Sequence, residues 1–96
     1  MTSDPSLLVL TSLSNGDKHG YAMILDIKSF AGVRLGPGTL YGAITRLEEG
    51  GWIRPISSED RRQPYRITAA GRRRLEDALL ALERVVTTGL QRLKHA

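Results

Sequence analysis

Residues 36–68 read GPGTLYGAITRLEEGGWIRPISSEDRRQPYRIT, and this stretch decides the fold. Leu40, Ile44 and Leu47 follow the i, i+4, i+7 spacing of one apolar helix face. A proline suits the first helical position, and a glycine pair ends a helix because glycine adopts left-handed backbone angles without strain. The pattern therefore predicts a helix over residues 37–49.

The spacing of apolar residues changes after the glycine pair at residues 50–51. Residues 52–56 are typical of a strand, residues 57–62 of a polar turn, and residues 63–67 of the returning strand. Pro64 has no N–H to donate to a ladder, so we expect it to face an open edge. Thr68 is a suitable N-cap for a last, long helix. Together these features predict a β-hairpin that leads into a helix.

Two further helices precede this stretch. Asp4-Pro5 starts the first, Asn15-Gly16-Asp17 ends it, and the second runs from about Gly20 to Phe30. The order of three helices, hairpin and helix predicts a mainly α fold with a β-hairpin, the winged helix-turn-helix. Residues 1–68 would form the DNA-binding domain and residues 69–96 a C-terminal dimerisation helix, of which residues 69–94 would span roughly 39 Å.

Composition excludes several classes of protein. The 96 residues include no cysteine, so disulfides, thiolate metal sites and cysteine nucleophiles are absent. The two histidines lie far apart in sequence, so we expect no metal site, no cofactor and no enzymatic activity. Apolar runs are too short for a membrane span, and Met1–Pro5 lacks the features of a signal peptide. The expected location is the cytoplasm.

The basic charge is concentrated in one region. The chain has 14 Lys+Arg and 10 Asp+Glu, a net of +4. Residues 54–74 hold seven arginines against Glu59 and Asp60, a net of +5, and the remainder carries −1. Localised positive charge favours a polyanionic partner.

Short motifs resemble those of a known family. In order, the chain contains His19-Gly20-Tyr21, Gly38-Thr39-Leu40-Tyr41, Arg46-Leu47-Glu48, Gly51-Trp52-Ile53 and Tyr65-Arg66-Ile67-Thr68-Ala69-Ala70-Gly71. Over about residues 6–90 the sequence resembles the PadR family of bacterial transcriptional regulators. The resemblance implies a homodimeric repressor that binds double-stranded DNA at a palindromic operator and is released by a small-molecule effector. Gly42 and Pro64 depart from the residues frequent in the family.

Three groups of residues are candidates for DNA contact. The winged-helix fold places its third helix in the major groove and its wing against the backbone or minor groove. The groups are Thr39, Tyr41, Thr45 and Arg46 on the third helix; Arg54, Arg61, Arg62 and Arg66 on the wing and its flanks; and His19, Tyr21, Arg72 and Arg73 as further phosphate contacts.

Each group has an alternative interpretation that involves no DNA. The helix residues could be merely solvated, with Arg46 paired to Glu49, and the wing arginines could pair with Glu59 and Asp60. In the third group, His19 could be a capping residue, Tyr21 could belong to the core, and the two arginines could form i, i+4 pairs with Glu76 and Asp77.

An apolar seam on the last helix is the candidate dimer interface. Its 3/4 spacing suits packing against another helix, and packing on the chain's own core is the alternative. The seam residues are Leu79, Leu82, Val86, Leu90 and Leu93. The rival function is a winged-helix module that binds another protein and does not read DNA. The polar, partly basic exposed face predicted for the third helix favours DNA.

Overall fold

The winged helix-turn-helix predicted from the sequence is confirmed. A computed structural model describes residues 4–96, so residues 1–3, which belong to the predicted DNA-binding domain and to the Met1–Pro5 stretch, lie outside the described residues. The elements are α1 (Pro5–Leu13), β1 (Lys18–His19), α2 (Gly20–Ala31), α3 (Pro37–Glu49), β2 (Ile53–Pro55), β3 (Pro64–Ile67) and α4 (Ala69–Lys94).

Side chains cap the helix N-termini as local sequence requires. The Asp4 carboxylate accepts a hydrogen bond from the Ser6 N–H at 3.0 Å and caps α1. The Thr68 hydroxyl accepts from the Gly71 N–H at 3.0 Å and caps α4. Gly32 ends α2 with φ of 69°, a left-handed angle that glycine tolerates. These caps fix where the chain changes direction between elements.

The core lies between α1, α2 and α3 and extends under the sheet. The predicted apolar stripe of α3 is buried, and α1 packs against it. Ile53 and Ile67 attach the wing to this core, and Leu75 attaches α4. The core therefore holds α3 with its opposite face towards solvent.

The sheet has three strands, not the two expected. β1 pairs antiparallel with β3, and β3 pairs with β2, which gives the order β1-β3-β2. The expectation that Pro64 faces an open edge is therefore wrong, because β3 is the central strand. Pro64 is tolerated as the first residue of that strand, and its carbonyl accepts from the Ile56 N–H at 3.1 Å. The two-residue β1 carried too little pattern to be recognised.

A polar network ties the end of α1 to α2. Ser12 is 1% exposed, and its hydroxyl donates to the Asp26 carboxylate at 2.7 Å. The Lys18 ammonium donates to the Ser12 carbonyl and lies 3.9 Å from the same carboxylate. The network satisfies the buried hydroxyl and fixes the turn that leads into β1.

Trp52 lies where α3, the wing and α4 meet. Its carbonyl accepts from the Thr68 N–H at 3.0 Å, and the Thr68 hydroxyl donates to the Gly51 carbonyl at 2.7 Å. The Arg74 guanidinium lies 4.0 Å from the centre of the indole ring, a cation–π contact. Gly71 is buried against the same backbone. The start of α4 is thereby fixed to the base of the wing, and Trp52 anchors the hairpin to the helices.

Candidate nucleic-acid interface

The outward face of α3 is polar. Thr39, Tyr41, Thr45 and Arg46 are all exposed, opposite the buried stripe. The Thr45 hydroxyl donates to the Tyr41 carbonyl at 2.9 Å, so its oxygen still has acceptor capacity towards a ligand. The Arg46 guanidinium lies back over Gly42, where an added methyl group would be 3.5 Å from Nη1.

A cleft joins the predicted phosphate contacts to the wing tip. It has a volume of about 590 Å³, and its walls include His19, Tyr21, Tyr41, Arg61 and Arg62. Residues from β1, α2, α3 and the wing, predicted separately, are therefore brought together here. Tyr21 is 60% exposed, so the alternative that it belongs to the core is not supported.

Gly20 lies against the Tyr41 ring in this cleft and was not among the predicted site residues. A methyl group on Gly20 would lie 2.9 Å from Tyr41 Cζ and would overlap the hydroxyl. Only glycine lets the Tyr41 ring lie against the start of α2, with its hydroxyl beside the helix N-terminus. The signal in the sequence was the motif His19-Gly20-Tyr21, whose central residue has no side chain to suggest a function.

His19 presents one ring nitrogen to α2 and the other to the wing. Nδ1 accepts from the Ala22 N–H at 3.3 Å, which makes His19 the N-cap of α2. This is the capping role that the sequence offered as an alternative to phosphate contact. Nε2 lies 2.9 Å from Nη1 of Arg62. A guanidinium only donates, so His19 Nε2 accepts from Arg62 in the shorter of the two contacts. A neutral imidazole accepts at one nitrogen only, so the 3.3 Å contact of Nδ1 and the 2.9 Å contact of Nε2 belong to different tautomers. The contact holds the Arg62 guanidinium beside the cleft, where its other N–H groups suit an anionic oxygen.

The wing carries four exposed arginines, and three of them, Arg54, Arg61 and Arg62, do not contact Asp17. Arg62 also lies 3.7 Å from Asp60, but both side chains are about 60% exposed, so this pair contributes little to stability. The Gln63 amide donates to the carbonyls of Ile56 and Pro64 at 2.9 and 2.8 Å and closes the base of the turn. The turn therefore holds Arg61 and Arg62 at the tip, beside the cleft.

Arg66 is held by an acidic partner that the sequence did not reveal. Its guanidinium donates in a bidentate manner to Asp17, with Nη2 to Oδ2 at 2.7 Å and Nε to Oδ1 at 3.0 Å. Hydrogen bonding to Arg66 holds the pKa of the Asp17 carboxyl below its ordinary value of 3.8. The 49-residue separation explains why no local pattern predicted the pair. Arg66 fixes β3 to the turn after α1.

The three arginines at the start of α4 have different surroundings. Arg72 donates to the Ser14 carbonyl at 3.2 Å, and Arg74 stacks on Trp52. Arg73 is exposed. Within residues 4–96 the ion pairs are Lys18–Asp26, Arg62–Asp60 and Arg66–Asp17, so the alternative pairing of Arg72 and Arg73 with acids one turn later is not formed.

The distal part of α4 leaves the body of the domain. Gly71 and Leu75 are buried, whereas the predicted seam is exposed along its length, from 37% at Leu82 to 76% at Leu93. The alternative that the seam packs on the chain's own core is therefore not supported, and on this helix the leucine that packs there is Leu75, which precedes the seam. Along α4 an apolar stripe remains uncovered in the single chain.

The described part of the chain forms neither a membrane span nor a metal site. No helix between residues 4 and 96 is long and apolar enough to cross a membrane. The same residues contain no group of three or more histidine or acidic side chains placed to hold a metal ion. The chemistry of the site is that of donors and positive charges.

Comparison with known proteins identifies the family. The profile of the transcriptional regulator PadR-like family matches residues 9–77, and the chain belongs to this family. A protein of Streptomyces fradiae, described as an uncharacterized 37.1 kDa protein in transposon TN4556, is 47% identical over 75 residues. That match covers 78% of this chain and 22% of the relative, so the chain spans about a fifth of the relative's length.

Solved structures confirm the fold. A transcriptional regulator from Clostridium thermocellum is 28% identical with a TM-score of 0.80, and the match covers 92% of this chain and 93% of that one. Bacillus subtilis PadR, solved in complex with operator DNA, is 22% identical with a TM-score of 0.69. That match covers 80% of this chain and 47% of PadR. The similarity to PadR concerns the fold alone.

Proposed function

We propose that this chain is a DNA-binding transcriptional regulator that acts as a homodimer. The observation that carries the proposal is that the exposed face of α3, the cleft beside His19 and Tyr21, and the wing tip with its arginines lie next to one another. In this arrangement α3 enters the major groove, where Thr39, Thr45 and Arg46 reach base edges or phosphates. The structure of PadR with operator DNA supports the same use of the fold here.

The cleft would bind the DNA backbone. A phosphate oxygen in the cleft would accept from the N–H groups of the Arg62 guanidinium that do not contact His19. The hydroxyls of Tyr21 and Tyr41 supply further donors on the same walls, and Arg73 extends the positive surface along α4. Phosphate contacts of this kind fix orientation, whereas base contacts by α3 give specificity.

Homodimerisation follows from the exposed seam of α4. Two copies present two recognition helices, which fit half-sites about 34–36 Å apart in a palindromic operator. We propose that binding represses transcription and that a small-molecule effector releases the protein. Because α4 contains no aromatic residue, stacking of a flat ligand between two copies of α4 is not part of the proposal.

The experiment is an anisotropy titration of labelled duplexes from the gene's upstream region and of a random duplex, at several stated salt concentrations. We expect tighter binding to the upstream duplex, and equal affinity for both would contradict sequence-specific binding. Replacing Arg61 and Arg62 by alanine should lower the slope of log K against log salt by about one to two units, because each lost phosphate contact removes about 0.9.

A matched control tests whether position or charge alone matters. The double variant Arg84→Ala, Arg92→Ala also removes two positive charges, but from the distal part of α4. The salt slope of this variant should stay near that of the unmodified protein. If both double variants lower the slope of log K against log salt by the same amount, the wing tip has no special role in contacting phosphate.

A further inference from the structure

The Asp17–Arg66 salt bridge lies between the two strands that shape the cleft. In the antiparallel register of β1 and β3, His19 lies opposite Pro64, and each step back along β1 is a step forward along β3. Two steps place Asp17 opposite Arg66, where the two side chains form their bidentate contact. The salt bridge therefore extends the β1–β3 ladder by one rung.

The other end of the same ladder carries the cleft. His19 is the last residue of β1, and its Nε2 lies 2.9 Å from Nη1 of Arg62. Arg62 precedes β3 by two residues, so its place beside the cleft depends on how β3 is aligned with β1. A shift of the alignment by one residue would turn every side chain of β1 to the opposite face of the sheet. The register of β1 on β3 therefore sets the geometry of the proposed phosphate site.

β1 has few other contacts that fix this register. It is two residues long and only half-buried, whereas strands usually have about 3–10 residues. Pro64, opposite His19, has no N–H to donate to the ladder. The Lys18 ammonium is bound to the Ser12 carbonyl at the end of α1, so it does not hold β3. A bidentate pair has a fixed geometry, and here it supplies the alignment that a longer strand would obtain from its own ladder.

The charges across the sheet give Asp17 a second effect. Arg54 of β2 lies directly opposite Arg66 of β3, and like charges in such a position repel each other. The Asp17 carboxylate approaches Arg66 from the β1 side and offsets this repulsion. Acid, arginine and arginine thus form one row across the sheet. Without the acid, the Arg66 side chain would lose its partner and keep only the repulsion.

We propose that Asp17 and Arg66 are positioning residues for DNA binding and that neither contacts DNA itself. Their salt bridge sets the register of β1 on β3, and this register places His19 beside the wing tip, where the phosphate binds. The inference rests on the proposed DNA-binding function. It replaces the phosphate contact expected for Arg66 from its place on the wing with an indirect role.

Two substitutions with opposite effects on charge test this role in the same anisotropy titration. Asp17→Ala removes a negative charge and Arg66→Ala a positive one, so electrostatic attraction alone would strengthen DNA binding in the first variant and weaken it in the second. If the pair acts by position, both variants bind the upstream duplex about fivefold more weakly, an estimate from the strength of one exposed pair. The salt slope of Arg66→Ala should stay unchanged, and the double alanine variant should bind no more weakly than either single variant.

Glu59→Ala is the matched control for the loss of an acid. Glu59 is exposed in the wing turn, and within residues 4–96 it belongs to none of the ion pairs. Its removal should leave binding equal or slightly tighter. The reversed pair, Asp17→Arg with Arg66→Asp, keeps both the net charge and the salt bridge, and it should restore affinity to within about twofold of the unmodified protein. Circular dichroism at the titration temperature would verify that each variant is folded.

The outcomes separate this role from the proposed function. Tighter binding by Asp17→Ala, together with a salt slope lowered by about 0.9 in Arg66→Ala, would show that Arg66 contacts phosphate and would overturn the inference. A folded reversed pair that binds as weakly as the single variants would overturn it too. If the unmodified protein does not distinguish the upstream duplex from a random one, the proposed function itself fails.

Discussion

The junction between α4 and the wing allows a sharp test of the packing, because one glycine is enclosed by backbone. A methyl group on Gly71 would lie 2.8 Å from Ile67 Cγ1 and 3.0 Å from the Trp52 carbonyl carbon, and it would overlap the carbonyl oxygen. Carbon atoms normally pack at about 3.5–4.0 Å. Because the carbonyl belongs to the backbone, a rotamer change cannot relieve the overlap. Gly71→Ala must displace α4 from the wing.

The magnitude follows from three contributions. Alanine is favoured over glycine inside a helix by about 1 kcal/mol. Overpacking a filled site costs about 1–3 kcal/mol, and weakening the 3.0 Å hydrogen bond from the Thr68 N–H to the Trp52 carbonyl costs about 1 kcal/mol more. We therefore expect Gly71→Ala to lower the free energy of unfolding by about 2 kcal/mol.

The matched control is the same substitution at an open helical site. A methyl group on Gly42 of α3 would meet only Arg46 Nη1, at an ordinary 3.5 Å. Gly42→Ala should therefore raise the free energy of unfolding by about 0.5–1 kcal/mol. The two variants should differ by about 3 kcal/mol.

Urea unfolding at a fixed protein concentration measures this difference. Trp52 is the only tryptophan, so its fluorescence reports on the junction, and circular dichroism gives a second probe of the helices. If Gly71→Ala and Gly42→Ala agree within about 0.5 kcal/mol, the close packing of α4 against the wing carbonyl is refuted.

Two further predictions concern polar contacts outside the proposed DNA surface. In a carboxyl titration by NMR, the pKa of Asp17 should lie below 3.8, and Arg66→Ala should return it to about that ordinary value; an Asp17 pKa unchanged by the substitution would exclude the pair. Because the folded-state pKa is lowered, the pair stabilises the fold above about pH 4 and is lost as the pH falls through the folded-state value. Ser12→Ala should cost about 1 kcal/mol in urea unfolding through loss of the buried hydrogen bond to Asp26, whereas Ser12→Ala combined with Asp26→Ala, which removes the acceptor, should cost little more than Asp26→Ala alone.

Helices and hairpin were predictable because their signals are local. Caps, apolar spacing and glycine stops lie within a few residues of the elements they define, and the bounds predicted for α3, residues 37–49, agree with the structure. β1 could not be predicted in the same way, because two residues show no period. Its existence depends on β3, which lies about 45 residues further along the chain. The open-edge expectation for Pro64 failed for that reason.

The candidate site was predictable by residue type and not by arrangement. Motifs indicated His19, Tyr21 and Tyr41, and charge indicated the wing arginines. That these residues line one cleft depends on Gly20, which has no side chain to reveal a role, and on the packing of α2 against α3. Asp17 was missed because an acid in a turn gives no sign of the partner that it meets in three dimensions.

The positive charge found in residues 54–74 is divided between holding the fold and facing outward. Arg66 is bound to Asp17, Arg72 to the Ser14 carbonyl, and Arg74 to the Trp52 ring. All seven arginines are exposed, but Arg62 also contacts His19 and Asp60. Of these seven, Arg54, Arg61 and Arg73 are the three whose side chains make no hydrogen bond, ion pair or cation–π contact within residues 4–96. Because arginines that are already engaged must give up a contact before they bind phosphate, the net charge of this segment overstates what it offers to DNA. The proposed interface depends most on the wing tip, where Arg62 meets His19 and the recognition helix is within reach.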